Sequence, residues 1–234
     1  MEDSYFINNP VFLKYKRCFD WRLLKRKPFI KKALLNERII EIPFVIDALS
    51  GVVKSSKVLD LGCMESALPL FLAGLGFQVT GFDFRQYPYQ VPNFKFIQGN
   101  ILDLPFEKES FDVVTCVSTI EHIGVGYYND PKEIISADIK GMTEIKRVLK
   151  QKGVLILTVP FGKALVNNQQ RVYDKKGLDA LLNGFLVKEI KFFKNTQVVE
   201  GNNYWEQITL EQAESLYYAS GTECVCCLSA LKDN

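Results

Sequence analysis

No uninterrupted apolar run in these 234 residues approaches the roughly 20 that a membrane-crossing helix needs, so no transmembrane segment is expected. The first thirty residues are charged throughout and hold no compact apolar stretch with a small-residue cleavage site, so a cytoplasmic protein without a secretory signal is expected. Paired CxxC spacing is missing as well. Cys18, Cys63 and Cys116 stand alone while Cys224, Cys226 and Cys227 crowd a strand-like segment, which argues for buried thiols and against a disulfide framework or a zinc site. There is one histidine, His122, and there is no repeat or low-complexity tract. What remains is a chain with 47% hydrophobic and 24% charged residues, enough for one sizeable core and short for two.

Charge is uneven. Residues 14–32 hold nine Lys and Arg against Asp20, a local +8 in a chain of net +2. With Tyr15, Phe19 and Trp21 interleaved, this segment reads either as the solvated face of a helical extension or as a phosphate-contacting surface, and charge runs are usually solvated. Residues 1–50 are therefore expected to form a helical extension or lid, with a helix interrupted or started near Pro43, ahead of one domain over 51–234.

From Lys57 short apolar runs alternate with helical spacing. Strands are expected at 57–61, 78–82, 94–98, 111–117 and 154–159, with helices at 66–75 and 139–149 between them. Further on, a helix is expected at 174–182, a strand at 185–193, a helix at 210–218 and a last strand at 223–231. That order predicts an α/β fold, doubly wound around a mainly parallel seven-stranded sheet whose last strand inserts antiparallel.

The strongest local signal is the strand, turn and helix running from Val58 to Ser66 through Gly62. Such a turn presents backbone N–H groups at the carboxyl edge of the sheet, where doubly wound folds bind ligands. Asp83 follows at the end of the next strand, at the spacing where a carboxylate accepts hydrogen bonds from ribose hydroxyls; its ordinary alternative is a helix N-cap or loop carboxylate. A dinucleotide would want glycines at 62, 64 and 67. The chain offers Gly62, Met64 and Ala67, so NAD binding is the weaker option.

With these features in place, the sequence resembles the class I S-adenosylmethionine-dependent methyltransferases, in particular the small-molecule branch related to ubiquinone and menaquinone biosynthesis. The resemblance is carried by VLDLG at 58–62, VTGFD at 79–83, FIQGNILDLPFEKESFDVV at 96–114, STIEHI at 118–123, EIKRVLKQKGVLILTVP at 144–160 and RVYDKKGLDALLNGF at 171–185. It implies a Rossmann-like methyltransferase fold and S-adenosylmethionine as cofactor. Asp60 and the turn at Gly62, Cys63 and Met64 would then serve the methionine end, Asp83 the ribose, Phe84, Asn100 and Ile101 the adenine, and Val117 with Ser118 the reacting methyl. Where relatives carry GxGxG, this chain keeps only Gly62, which also leaves room for a binding-only or regulatory relative.

The other candidate cluster is Glu121-His122, with His122 as the candidate catalytic residue, either general base or substrate-positioning group, and Glu121 behind it; otherwise His122 is a helix-start residue bonded to backbone. Some relatives bind a divalent metal on an ExxEH run with a further histidine. Here Ser118 replaces the first Glu and no second histidine exists, so no such metal site is expected. Tyr127, Phe161, Arg171 and Tyr173 are candidate substrate residues, with Glu41 and Phe44 as lid elements; in the alternative, Phe161 and Phe44 are core while Arg171 and Tyr173 fix the loop before a helix. The expected acceptor is a small molecule, a sugar or another hydroxyl- or amine-bearing metabolite. A nucleic-acid partner has only the basic segment in its favour, and no NPPY-like tetrapeptide follows the fourth strand.

Overall fold

The computed structural model describes residues 36–126, 136–197, 203–218 and 224–233. The basic run at 14–32, Cys18 and Tyr127 lie outside them.

The first helix, α1 (Arg38–Ala48), continues through Pro43 where an interruption or a start was expected. Proline removes one i→i−4 bond, and the carbonyl it would have used belongs to Ile39, on the helix's exposed flank. Ile42, Phe44, Val45 and Leu49 are buried and fix α1 to the sheet.

The chain then alternates as its apolar runs predict: β1 (Lys57–Leu61), α2 (Leu68–Gly74), β2 (Gln78–Asp83), β3 (Phe94–Gln98), β4 (Phe111–Val117), α3 (Ala137–Val148) and β5 (Leu149–Pro160). A small hairpin, β6 (Leu165–Val166) and β7 (Arg171–Val172), precedes α4 (Lys175–Leu181). Asp174 caps α4, its carboxylate accepting from Gly177 N at 2.7 Å. The chain continues through β8 (Phe185–Gln197), β9 (Asn203–Ile208), α5 (Leu210–Glu214) and β10 (Cys224–Lys232).

The main sheet has the order β3-β2-β1-β4-β5-β10-β8-β9. Neighbours from β3 to β5 are parallel; β10 is antiparallel to both β5 and β8, and β9 is antiparallel to β8. The sheet thus holds eight strands, one more than the expected seven. Edge strand β9 mixes Asn203, Glu206 and Gln207 into its run, and an edge needs no clean apolar alternation. Helix α5 ends four residues short of the expected Tyr218 because the following segment turns to pair with the loop after β5, Lys163 N donating to Leu216 O.

Alternation along β4 shows both core layers. Val114 and Cys116 face α3 and α4, and Val113 and Val117 face α1 and α2. Register does the positioning: Leu61 lies opposite Phe82 on one side and Cys116 on the other, so β1, β2 and β4 end side by side. After β1 the chain winds outward to β3 and returns to β4, which makes the β1/β4 boundary a switch point, the place where such sheets open a crevice. No described helix is long and apolar enough to cross a membrane.

Candidate functional site

A cavity of about 340 Å³ opens at that boundary. Its floor begins at Gly62, which has φ +72° and whose N–H donates to Phe82 O at 2.9 Å. A Cβ there would collide with the Thr119 side chain, so glycine is required both for the left-handed turn and for the close approach. Met64 and Ser66, standing where relatives carry further glycines, keep negative φ and add no strain of this kind.

Asp83 is buried, and both carboxylate oxygens are oriented by backbone. Met64 N donates to Oδ2 at 3.0 Å and Arg85 N to Oδ1 at 2.9 Å, Arg85 Nε lies 3.6 Å from Oδ1, and Asp83 lines the cavity. Arg85 also bridges to Glu65 at 2.6 Å, closing a rim that the sequence reading missed. Phe84 is 46% exposed and lines the same end with Asn100 and Ile101. The amide oxygen of Asn100 accepts from Leu102 N at 2.9 Å, which fixes the loop after β3.

Four residues expected at the cofactor, Asp60, Cys63, Met64 and Val117, are not in the cavity lining; Met64 meets the site only through its backbone N–H on Asp83. Asp60 is buried, accepts from Thr115 Oγ1 at 2.6 Å, and has an unpartnered Oδ2; burial pushes its carboxyl up to about 7, with Thr115 pulling the other way. Cys63 is buried and its thiol is raised by the same desolvation. Val117 contributes its carbonyl, which accepts from Thr119 Oγ1 at 2.9 Å and from Arg38 Nη1 at 3.3 Å.

The other end of the cavity is held by side chains from distant segments. Glu41, on α1 and 0% exposed, accepts from Ser118 Oγ at 2.5 Å, Thr158 Oγ1 at 2.6 Å and Arg38 Nη1 at 2.7 Å. It therefore belongs to the wall, and Arg38 rather than Glu41 faces the cavity. Ser118 has φ +40°, an uncommon conformation for a residue with a Cβ. It persists because Ser118 N is anchored on Thr158 and Ser118 Oγ on Glu41.

His122 lines the cavity from a short 3-10 turn, Ile120–His122. Its Nδ1 lies 2.6 Å from the carbonyl of Gln169 in the turn of the β6/β7 hairpin. A carbonyl only accepts, so Nδ1 carries a proton in this contact. Glu121 does not reach the cavity. It is 1% exposed, its Oε2 has no partner, and burial pushes its carboxyl up to about 8. At neutral pH it is thus a neutral acid, 3.8 Å from His122 Nε2.

Phe161, Arg171 and Tyr173, expected against the acceptor, are not in the cavity lining. Phe161 is buried on Phe192, ring centroids 4.6 Å apart, because the chain leaving β5 turns into the core. Tyr173 is buried and donates to Asp138 at 3.1 Å. Arg171 lies 3.6 Å from the same carboxylate and donates to the carbonyls of Ile123 at 2.6 Å and Glu121 at 3.3 Å. Arg171 therefore braces the turn that carries His122. Among the described residues no three His, Cys, Asp or Glu side chains gather as metal ligands would.

Arg38, Thr119, Glu65 and Arg85 were missed. The Arg38–Glu41 pair at i,i+3 was the available signal, masked by a neighbouring charge run that reads as solvated.

Residues 103–209 match the family described as Caenorhabditis protein of unknown function, DUF268, and residues 28–120 match that of the tellurite resistance protein TehB. Demethylmenaquinone methyltransferase of Staphylococcus aureus is 32% identical over 117 residues, 45% of this chain and 44% of that protein. The match thus spans less than half the length of these curated relatives. A methyltransferase structure from Methanosarcina mazei, described as S-adenosylmethionine-dependent, has TM-score 0.54 at 17% identity, covering 81% of this chain and 97% of that one. The 1,6-didemethyltoxoflavin-N1-methyltransferase of Burkholderia thailandensis, solved with 1,6-didemethyltoxoflavin and S-adenosylhomocysteine, has TM-score 0.58 at 14% identity, covering 95% and 90%. At such identities the structural likeness speaks for the fold alone.

Proposed function

We propose that this chain is a class I S-adenosylmethionine-dependent methyltransferase that binds S-adenosylmethionine in the cavity and methylates an oxygen or nitrogen of a small-molecule acceptor, a reading supported by the partial sequence matches and the shared fold. Asp83 carries this assignment. Its two oxygens, oriented by the N–H groups of Met64 and Arg85, are suited to a ribose diol, with the Gly62 turn beside them for the methionine chain. Phe84 and the Asn100 loop would cover the adenine.

When bound, S-adenosylmethionine supplies a methyl group already activated on a sulfonium. The protein's work is then mainly alignment, worth roughly 7–11 kcal/mol in favourable cases. For a hydroxyl acceptor, His122 Nε2 is the base, since Gln169 fixes the proton on Nδ1. An ionised Glu121 would favour the charged imidazolium; held neutral by burial, it leaves the imidazole able to take a proton. The named substrates of the relatives are small molecules, which favours that acceptor class over nucleic acid. The five described cysteines are buried and unpaired, suiting the reducing cytosol.

Calorimetry with S-adenosylhomocysteine tests the cofactor site. Binding to the wild type, with a loss of about 1.5–3 kcal/mol in Asp83→Ala, is expected from removing charge-assisted hydrogen bonds. Equal affinity in a folded Asp83→Ala protein would contradict it.

A further inference from the structure

We infer that Arg171, which does not itself line the cavity, is the positioning residue for His122: from the β6/β7 hairpin it holds the histidine's turn so that the ring proton stays on Nδ1, an inference that rests on the reading of His122 as the base. The turn Ile120–His122 is three residues long, too short to satisfy its own last carbonyls. Thr119, at its start, makes no side-chain cap and donates its hydroxyl to Val117 O at 2.9 Å instead. Among the described residues Arg171 supplies the donor for the carbonyls on either side of His122, Nη1 reaching Ile123 O at 2.6 Å and Glu121 O at 3.3 Å.

Contact lengths separate this role from that of an ordinary buried ion pair. Arg171 Nε lies 3.6 Å from Asp138 Oδ2, too far for a hydrogen bond, so Asp138 orients the guanidinium without taking it from the turn. Asp138 is itself fixed by the Tyr173 hydroxyl at 3.1 Å. The same hairpin presents the ring's partner. Asn167 Oδ1 accepts from Gln169 N and Gln170 N, both at 2.8 Å, and the turn so folded sets Gln169 O 2.6 Å from His122 Nδ1. Glu121, the rival for the ring proton, has its Oε1 3.8 Å from Nε2, beyond hydrogen-bond reach. One hairpin thus holds ring and backbone together, and releasing the backbone should release the ring. A released imidazole carries its proton mainly on Nε2, which takes the lone pair away from the nitrogen assigned as base.

His122 is the only histidine in the chain, so nitrogen NMR of the untagged full chain with labelled histidine reads its tautomer without overlap. With the ring neutral, Nδ1–H should outnumber Nε2–H by roughly tenfold in the wild type, the value of about one hydrogen bond. In Arg171→Met the ratio should reverse in favour of Nε2–H. Should the uncompensated Asp138 unfold that variant, Arg171→Met/Asp138→Asn removes both charges, keeps an acceptor for Tyr173, and should show the same reversal. A wild-type ratio in either folded variant would overturn the positioning role. Wild-type turnover in His122→Ala would instead overturn the reading of His122 as base, with the tautomer result intact.

Discussion

At the Asp83 end of the cavity the ligand-facing groups come from consecutive strand ends, and backbone N–H groups orient them. At the Arg38 end they come from α1, β4, β5 and the β6/β7 hairpin, and buried side chains orient them. The first construction is local and repeats wherever a parallel strand ends in a tight turn. The second depends on the whole fold being assembled. Conserving the sheet therefore suffices for the first end, whereas the second is free to change with every segment that reaches it.

If that contrast holds, the largest effect should come from the base. With a hydroxyl acceptor in hand, His122→Ala should lower turnover by roughly 10²- to 10⁴-fold while S-adenosylhomocysteine affinity stays within about threefold. Wild-type rates would remove His122 from the reaction. Carboxylate deletions should separate the two ends next. Glu41→Ala strands Arg38, Ser118 and Thr158 without their acceptor, and should cost roughly 2–3 kcal/mol in chemical denaturation, less than a fully enclosed ion pair because Arg38 is partly exposed. Asp83→Ala loses two backbone contacts and should cost about 1 kcal/mol of stability, its main effect being on binding. Equal costs would erase the distinction.

Glu121 offers a pH signature of the side-chain-built end. The unfolded chain ionises this carboxyl in the ordinary range, but the folded protein holds its proton up to about 8. Between those values the folded state binds more protons than the unfolded one, so stability falls as pH rises through that window. Glu121→Gln should remove its share of the fall, making the variant more stable than wild type at pH 8 by about 1 kcal/mol or more, with a smaller or opposite difference at pH 5. A variant with the wild-type pH profile would show that Glu121 ionises normally. Asp60, raised to about 7, adds a second contribution of the same sign. The smallest effect is expected at the turn. Met64→Gly should change S-adenosylhomocysteine affinity by less than about 0.5 kcal/mol, because Met64 already holds a φ open to any residue. Tenfold tighter binding would mean that the missing glycines weaken the site.

The same contrast decides what was legible in the sequence. Apolar runs marked β1 to β5, and Gly62 with Asp83 marked one end of the cavity, because those signals are contiguous. Pro43 misled because a proline's cost is local and the apolar face of α1 outweighs it. Strand β9 was silent because an edge can carry polar residues. Arg171 and Tyr173 looked like substrate contacts because polar residues near a strand end read as functional; only the fold shows Asp138 collecting both. Glu41 meets Ser118 and Thr158 across separations of 77 and 117 residues, and no local pattern encodes that.

A crystal structure of the protein with S-adenosylhomocysteine tests the two-ended cavity most directly. The ribose hydroxyls should lie on the Asp83 carboxylate and the adenine between Phe84 and the Asn100 loop. A ligand bound elsewhere, or one in the cavity with its ribose away from Asp83, would contradict the assignment.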